Sequence, residues 1–302
     1  MLIYAAVCPH PPLLVPELAG EAAGELDALR AACATAVSRL GEAVASATEI
    51  VVVGGGPATR SYGPDAAATL RPYGLVSPGL NGEPENGLAD TGERSDPDSG
   101  KTLIGAEVLP LSLTIGRWLL RDLLRGLRDG PPHEVTVRFQ AVAYDAAPGE
   151  CLSLGRQLAG PEGRRVALLV MGDGSACLTE KAPGYLDPRA EPYDTAVAGA
   201  FERADTAALA DLDPGLSHEL QAAGRAAWQV LAGAASPRTS AATAPAATAS
   251  PAAASTAGPA RPPAAGGMAD RGGAPFDAEL LAYEAPYGVG YFVATWDGRP
   301  RP

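Results

Sequence analysis

The sequence predicts an α/β fold, a single domain with a central mostly parallel or mixed sheet flanked by helices on both faces. Three observations carry this expectation. "LIYAAVC" (2–8), "EIVVVGG" (49–55) and "RRVALLVMGDG" (164–174) hold near-continuous apolar runs, the mark of strands covered on both faces. Between the first two, "PELAGEAAGELDALRAACATAVSRLGEAVAS" repeats apolar residues at helical spacing, completing a βαβ unit. Each run ends in a sharp Gly or Pro turn, the punctuation expected where a strand leaves a sheet.

The remaining elements follow in order. "LSLTIGRWLLRDLLRGL" has helical periodicity and is broken by Gly130–Pro132, after which "EVTVRFQAV" alternates as a strand. "GECLSLGRQLAG" predicts a helix before the third buried strand, and "EPYDTAVAGAFERADTAALADL" and "PGLSHELQAAGRAAWQVLAGAA" predict two more after it. "AELLAYEAPYGVGYFVATW" reads as two strand-like runs around a Pro-Tyr-Gly turn, returning to the sheet. Residues 76–101 are crowded with Gly, Pro, Asn and Asp, the composition of a long exposed loop. Residues 235–273 are low-complexity Ala, Thr, Pro and Ser, too poor in large apolar side chains to form a core, and are expected to be a disordered insertion. One domain spanning 1–302 is the expected organisation.

With 302 residues and 46% hydrophobic content, the chain can bury a substantial core. A net charge of −12 without any basic run argues against nucleic-acid binding, which needs clustered Lys and Arg. The opening Met1-Leu2-Ile3-Tyr4 has no positively charged leader, and "VALLVM" is far shorter than a bilayer span, so no membrane association and a cytoplasmic location are expected. Cys8, Cys33, Cys151 and Cys177 are widely spaced and are expected to be reduced thiols.

Three turns follow strands: Cys8-Pro9-His10-Pro11-Pro12, Gly54-Gly55-Gly56-Pro57 and Gly172-Asp173-Gly174-Ser175-Ala176. Ligands of open α/β sheets bind in the crevice at the carboxyl ends of strands, so these turns are candidate walls of a site. With them as crevice-lining candidates go Gly56, Asp173, Ser175, Cys177, Tyr185 and Glu284.

"HPPLLVPEL" after a first strand, "VVVGGG" after a second, and "GDGSACLTEKAPGYLDPRAEPYD" resemble the superfamily that comprises the catalytic subunits of class III extradiol ring-cleavage dioxygenases and the MEMO-like proteins. Gly172, Asp173, Ser175, Leu178, Thr179, Ala182, Pro183, Gly184, Tyr185, Asp187, Pro188 and Asp194 match its third motif. The resemblance implies non-haem Fe(II) held by two His and one Glu, with open positions for a catechol and dioxygen, the facial-triad arrangement. His10 matches the first ligand. Gly56, or a neighbour within one residue, stands where the second histidine would be, Ala176 where the acid/base histidine would be, and Ala223 where MEMO-like members place a Cys.

Glycine and alanine have no donor atoms, so the resemblance implies a degenerate metal site. His218 and Glu219 are the candidates to complete a metal set with His10; His133, in "PPHEV", is expected at the opposite end of the sheet. A thiolate and imidazole set of His10, Cys177 and Cys8 for Zn or Fe is a second metal reading. "GGGPATR", with Arg60, invites an anion but lacks the GxGxxG spacing and a P-loop Lys. Tyr283, Tyr287 and Tyr291 read as packing. The expectation is a protein with lost or altered metal-dependent catalysis, no required cofactor, and a crevice for a small molecule or peptide. An active dioxygenase using Fe(II), or Zn, and a structural or interaction protein are the alternatives, and a homodimer is left open.

Overall fold

The computed structural model describes residues 1–75, 107–129, 135–160, 163–236 and 276–299. The expected loop at 76–101, nearly all of the expected insertion at 235–273, and His133 lie outside the described residues. In chain order the elements are β1 (Leu2–Cys8), α1 (Pro16–Ala19), α2 (Asp27–Val44), β2 (Glu49–Gly56), β3 (Arg60–Tyr62), α3 (Leu111–Leu119), α4 (Arg121–Asp129), β4 (Thr136–Ala143), α5 (Pro148–Leu158) and β5 (Val166–Met171). Then come α6 (Ala190–Arg203), α7 (Thr206–Ala210), α8 (Pro214–Glu219), α9 (Arg225–Ala235), β6 (Asp277–Glu284) and β7 (Tyr291–Asp297).

Among the described residues seven strands form one mixed sheet in the order β3-β4-β2-β5-β1-β7-β6. β4, β2, β5 and β1 are mutually parallel, and the edge strands β3 and β6, with β7 between β1 and β6, run antiparallel to their neighbours. Because side chains alternate across a strand, the apolar runs feed two cores. Ala5, Val7, Val51, Val53, Val166, Leu168 and Val170 face α5, α6 and α9. Tyr4, Ala6, Ile50, Val52, Ala167, Leu169 and Met171 face α2 and α3. The last strand closes the sheet beside the first: Tyr4 pairs with Asp297, and the Gly298 N–H donates to the Ile3 carbonyl at 3.0 Å.

Several expected helices are interrupted. The run after β1 is helical only over 16–19 and 27–44, with a 3-10 stretch between, where Gly20 takes φ +55°. The two helices predicted after β5 become four: Ala204 (φ 49°) separates α6 from α7, and Gln221 (φ 54°) separates α8 from α9. Apolar periodicity survives such left-handed residues, so it does not reveal them. β3 has no counterpart among the expected strands; its three residues are too few to show a period.

At the amino-terminal edge of the sheet, the buried carboxylate of Glu49 is paired with both Arg138 and Arg164. α5 and α9 cross at backbone contact. A Cβ on Gly155 would overlap the Val230 carbonyl, and one on Gly233 would overlap that of Leu152. Gly155→Ala should therefore force α5 away from α9 and destabilise the protein by about 1–3 kcal/mol or more, read as a lower denaturation midpoint in urea.

Candidate functional site

β1, β2, β4 and β5 are parallel, so their carboxyl ends lie along one edge of the sheet and present the turns after them together. The β1 and β5 turns are tied directly. The Gly172 N–H donates to the Cys8 carbonyl at 3.0 Å, and the His10 N–H donates to Asp173 Oδ1 at 2.7 Å. The same carboxylate oxygen lies 3.4 Å from His10 Nδ1, within ion-pair range but not in hydrogen-bonding geometry, so that buried ring nitrogen is otherwise unsatisfied. His10 is 4% exposed and the Asp173 side chain 15%. Burial pushes the Asp173 carboxyl above its ordinary range, and His10 partly opposes the shift.

Beneath this pair the floor is backbone. The Gly224 N–H donates to the Asp173 carbonyl at 2.8 Å. A Cβ on Gly172 would fall 2.6 Å from both Gly224 Cα and Trp228 Nε1. The third wall comes from β2 and β4. Gly55 lies under the ring of Tyr144, and a side chain there would point at that ring and at the Ala223 carbonyl, 3.3 Å away. Tyr144 is 48% exposed, and burial of its hydroxyl end raises its pKa, with Tyr73 and Asp173 adding to the shift. Tyr291 also feels Asp173 and is raised, chiefly by burial.

The sequence-derived candidates divide. His10 and Asp173 are brought together, and Ala223 reaches the same place immediately before α9. Gly56 does not: a side chain there would meet Ala141 and Pro110 in the packed layer, so by alternation Gly55 is the β2 position on the crevice side. Ser175 is fully buried and its Oγ accepts from the Cys177 N–H at 3.1 Å. Cys177 is buried too, its thiol directed to the Leu220 carbonyl at 3.5 Å and pushed up in pKa by burial. These two brace the turn from within. Ala176 is buried. Tyr185 is 62% exposed in a left-handed conformation, and Glu284 ends β6 partly exposed.

Two expectations need correction. His218, expected to join His10 in a metal set, stands in the last turn of the short α8 and is exposed. Glu219 points to solvent and is paired with Arg189 at 2.7 Å. Among the described residues no group of three or more His, Cys, Asp or Glu side chains is placed to hold a metal ion. The donors do not fit the two-His-one-Glu set or the His10, Cys177, Cys8 set: Cys8 is fully buried in the strand core. Tyr144, Gly224 and Trp228 were missed. Tyr144 follows β4 directly, so the strand-exit rule applied to every strand would have found it. A separate groove of about 600 Å³, lined by α1, α2, α3 and α4 residues including Val37, Trp118 and Leu123, contains none of the strand-exit residues.

No family model and no curated protein matches the chain. Among solved structures it is similar to the uncharacterized protein JW3007 from Escherichia coli K12, at 11% identity and a TM-score of 0.47, over 98% of this chain and 100% of that one. No helix among the described residues is long and apolar enough to cross a membrane.

The Asp173 carboxylate is the strap between the two turns. Asp173→Ala should leave the buried His10 N–H unsatisfied and cost about 1–3 kcal/mol. Asp173→Asn, which keeps the Oδ1 acceptor, should cost less than half as much in the same urea titration.

Proposed function

We propose that this chain is a class III extradiol dioxygenase-like protein that has lost metal-dependent ring cleavage and keeps its strand-exit crevice to bind a small aromatic molecule or peptide. The observation that carries the reading is the contrast between motif and donors. The turns that bear the resemblance meet at one edge of the sheet, yet of the positions that match the family's ligand and acid/base residues only His10 carries a donor side chain, and the neighbouring carboxylate, Asp173, is engaged with its backbone. Gly55, Ala176 and Ala223 supply no donor side chain. The Asp173 carboxylate accepts the His10 backbone N–H and lies 3.4 Å from Nδ1 without a hydrogen bond to the ring; a carboxylate kept beside the imidazole, where metal-bound histidines commonly have one, supports reading His10 as what remains of such a site. Among the described residues no second histidine or glutamate joins His10 in a metal-holding group, so no step through iron is assigned.

The exposed Tyr144 ring over Gly55 offers a flat surface within electrostatic reach of Asp173. Aromatic stacking contributes roughly 0.5–1.5 kcal/mol beyond the area buried. A catechol used as a probe should therefore bind without oxygen uptake and bind about three- to tenfold more weakly to Tyr144→Ala.

The deciding measurement is metal content after anaerobic purification, beside a His10→Ala control. Substoichiometric metal, unchanged in the variant, is expected. Stoichiometric Fe or Zn lost on substitution, together with catechol-dependent oxygen uptake, would establish an active dioxygenase instead. Unaltered catechol titrations for both His10→Ala and Tyr144→Ala would favour an interaction protein.

A further inference from the structure

Asp194 lies in α6 with its side chain fully buried. Its Oδ1 accepts the Ser175 backbone N–H at 2.9 Å, while Oδ2 has no hydrogen-bond partner. The carboxyl is wedged against two glycines. A Cβ on Gly174 would come within 2.9 Å of Oδ1, and one on Gly290 would overlap Oδ2. Those glycines form a two-way backbone joint: the Gly174 N–H donates to the Gly290 carbonyl at 2.7 Å, and the Gly290 N–H donates to that of Ser175 at 2.9 Å. One carboxyl thus sits at the joint between the turn after β5 and the segment entering β7. The neighbouring residue in that turn, Asp173, holds His10.

We propose that Asp194 is a positioning residue that works as a proton-operated latch: as a neutral acid it keeps the 172–176 turn docked on Gly290, and as a carboxylate it lets the two part. A buried carboxylate with a single N–H donor is poorly solvated, and parting the joint to admit water relieves that cost. Burial pushes the Asp194 carboxyl up to about 7, with the Ser175 N–H pulling the other way. The titratable groups that sense it are Tyr193 on α6, Tyr283 on β6 and Cys177 in the turn, none of them cationic. The cations that sense Cys177 or Tyr193 beside it serve other partners. Arg189 is bound to Asp187 and Glu219, and Arg225 to the Ala146 and Tyr144 carbonyls.

The sign follows from proton counting. An unfolded Asp releases its proton near pH 3.9, whereas the folded protein keeps it to about 7. The folded state therefore binds more protons across that window, and the contribution of this group to stability, full below it, declines as pH rises through it. The latch is closed at the acid end and released above neutrality. Nothing in this depends on what the crevice binds.

The test is amide hydrogen exchange at Gly174, Ser175 and Gly290 in the full chain, followed by NMR from about pH 5.5 to 8.5 and corrected for the intrinsic base-catalysed rate. Protection should fall about tenfold as pH passes neutrality and should stay flat in Asp194→Asn. Flat protection in the unsubstituted protein, or an equal fall in the variant, overturns the proposal. If the variant does not fold, the titration of the Asp194 carboxyl carbon shift in the unsubstituted protein decides: a midpoint near 7 supports the latch, and one below about 5 overturns it.

Discussion

The indole of Trp228 is the contact on which the site side of the molecule depends. It is fully buried, meets Phe201 edge-on at 5.5 Å and Phe292 at 5.7 Å, and has its ring pressed on the backbone of Gly172 and Gly224. One side chain thereby joins α9, α6, β7 and the turn after β5. An aromatic of this size buries 150–250 Å², about 4–6 kcal/mol by area as an upper figure. Its bulk also dictates sequence: any Cβ at position 172 or 224 would meet the ring. Gly172 and Gly224 are thus explained by packing against a tryptophan before any ligand is invoked.

The parts legible in the sequence were those with a single-valued pattern. Unbroken apolar runs marked β1, β2 and β5, and their alternation between two cores follows from strand geometry alone. Helix presence was legible, but helix continuity was not, because Ala204 and Gln221 are non-glycine residues in left-handed conformations, where no glycine marks the break. At the site, His10 and Asp173 were legible from position after a strand. Glu219 was not: it was a candidate to complete a metal set with His10, and only the fold shows it paired with Arg189 and exposed. Ser175 and Cys177 lay in the right turn, but which way a turn residue faces cannot be read from spacing.

The two ends of the sheet are chemically unlike. At the amino-terminal edge a carboxylate is buried between two guanidinium groups, a fully compensated arrangement. At the carboxyl edge Asp173 and Asp194 are set against backbone N–H groups, with an imidazole facing only the first. Polar groups with incomplete partners are costly in a packed interior, and here they gather where the strands deliver their turns, together with the unpaired Trp228 Nε1. Among the described residues, the buried side-chain polar atoms without a hydrogen-bond partner are His10 Nδ1, Asp194 Oδ2 and Trp228 Nε1.

The pairing of β1 with β7 has a topological consequence. These two strands, the first and the last of the seven along the chain, are hydrogen-bonded neighbours, so the sheet itself nearly closes the polypeptide into a ring. The fold then depends on which strands adjoin, not on where the ring is cut. A circularly permuted gene that linked the segment after β7 to the one before β1 and opened the chain at an exposed turn would encode the same sheet. It would also convert the longest-range strand pairing of the protein into a local one, lowering the loop-closure entropy of that step.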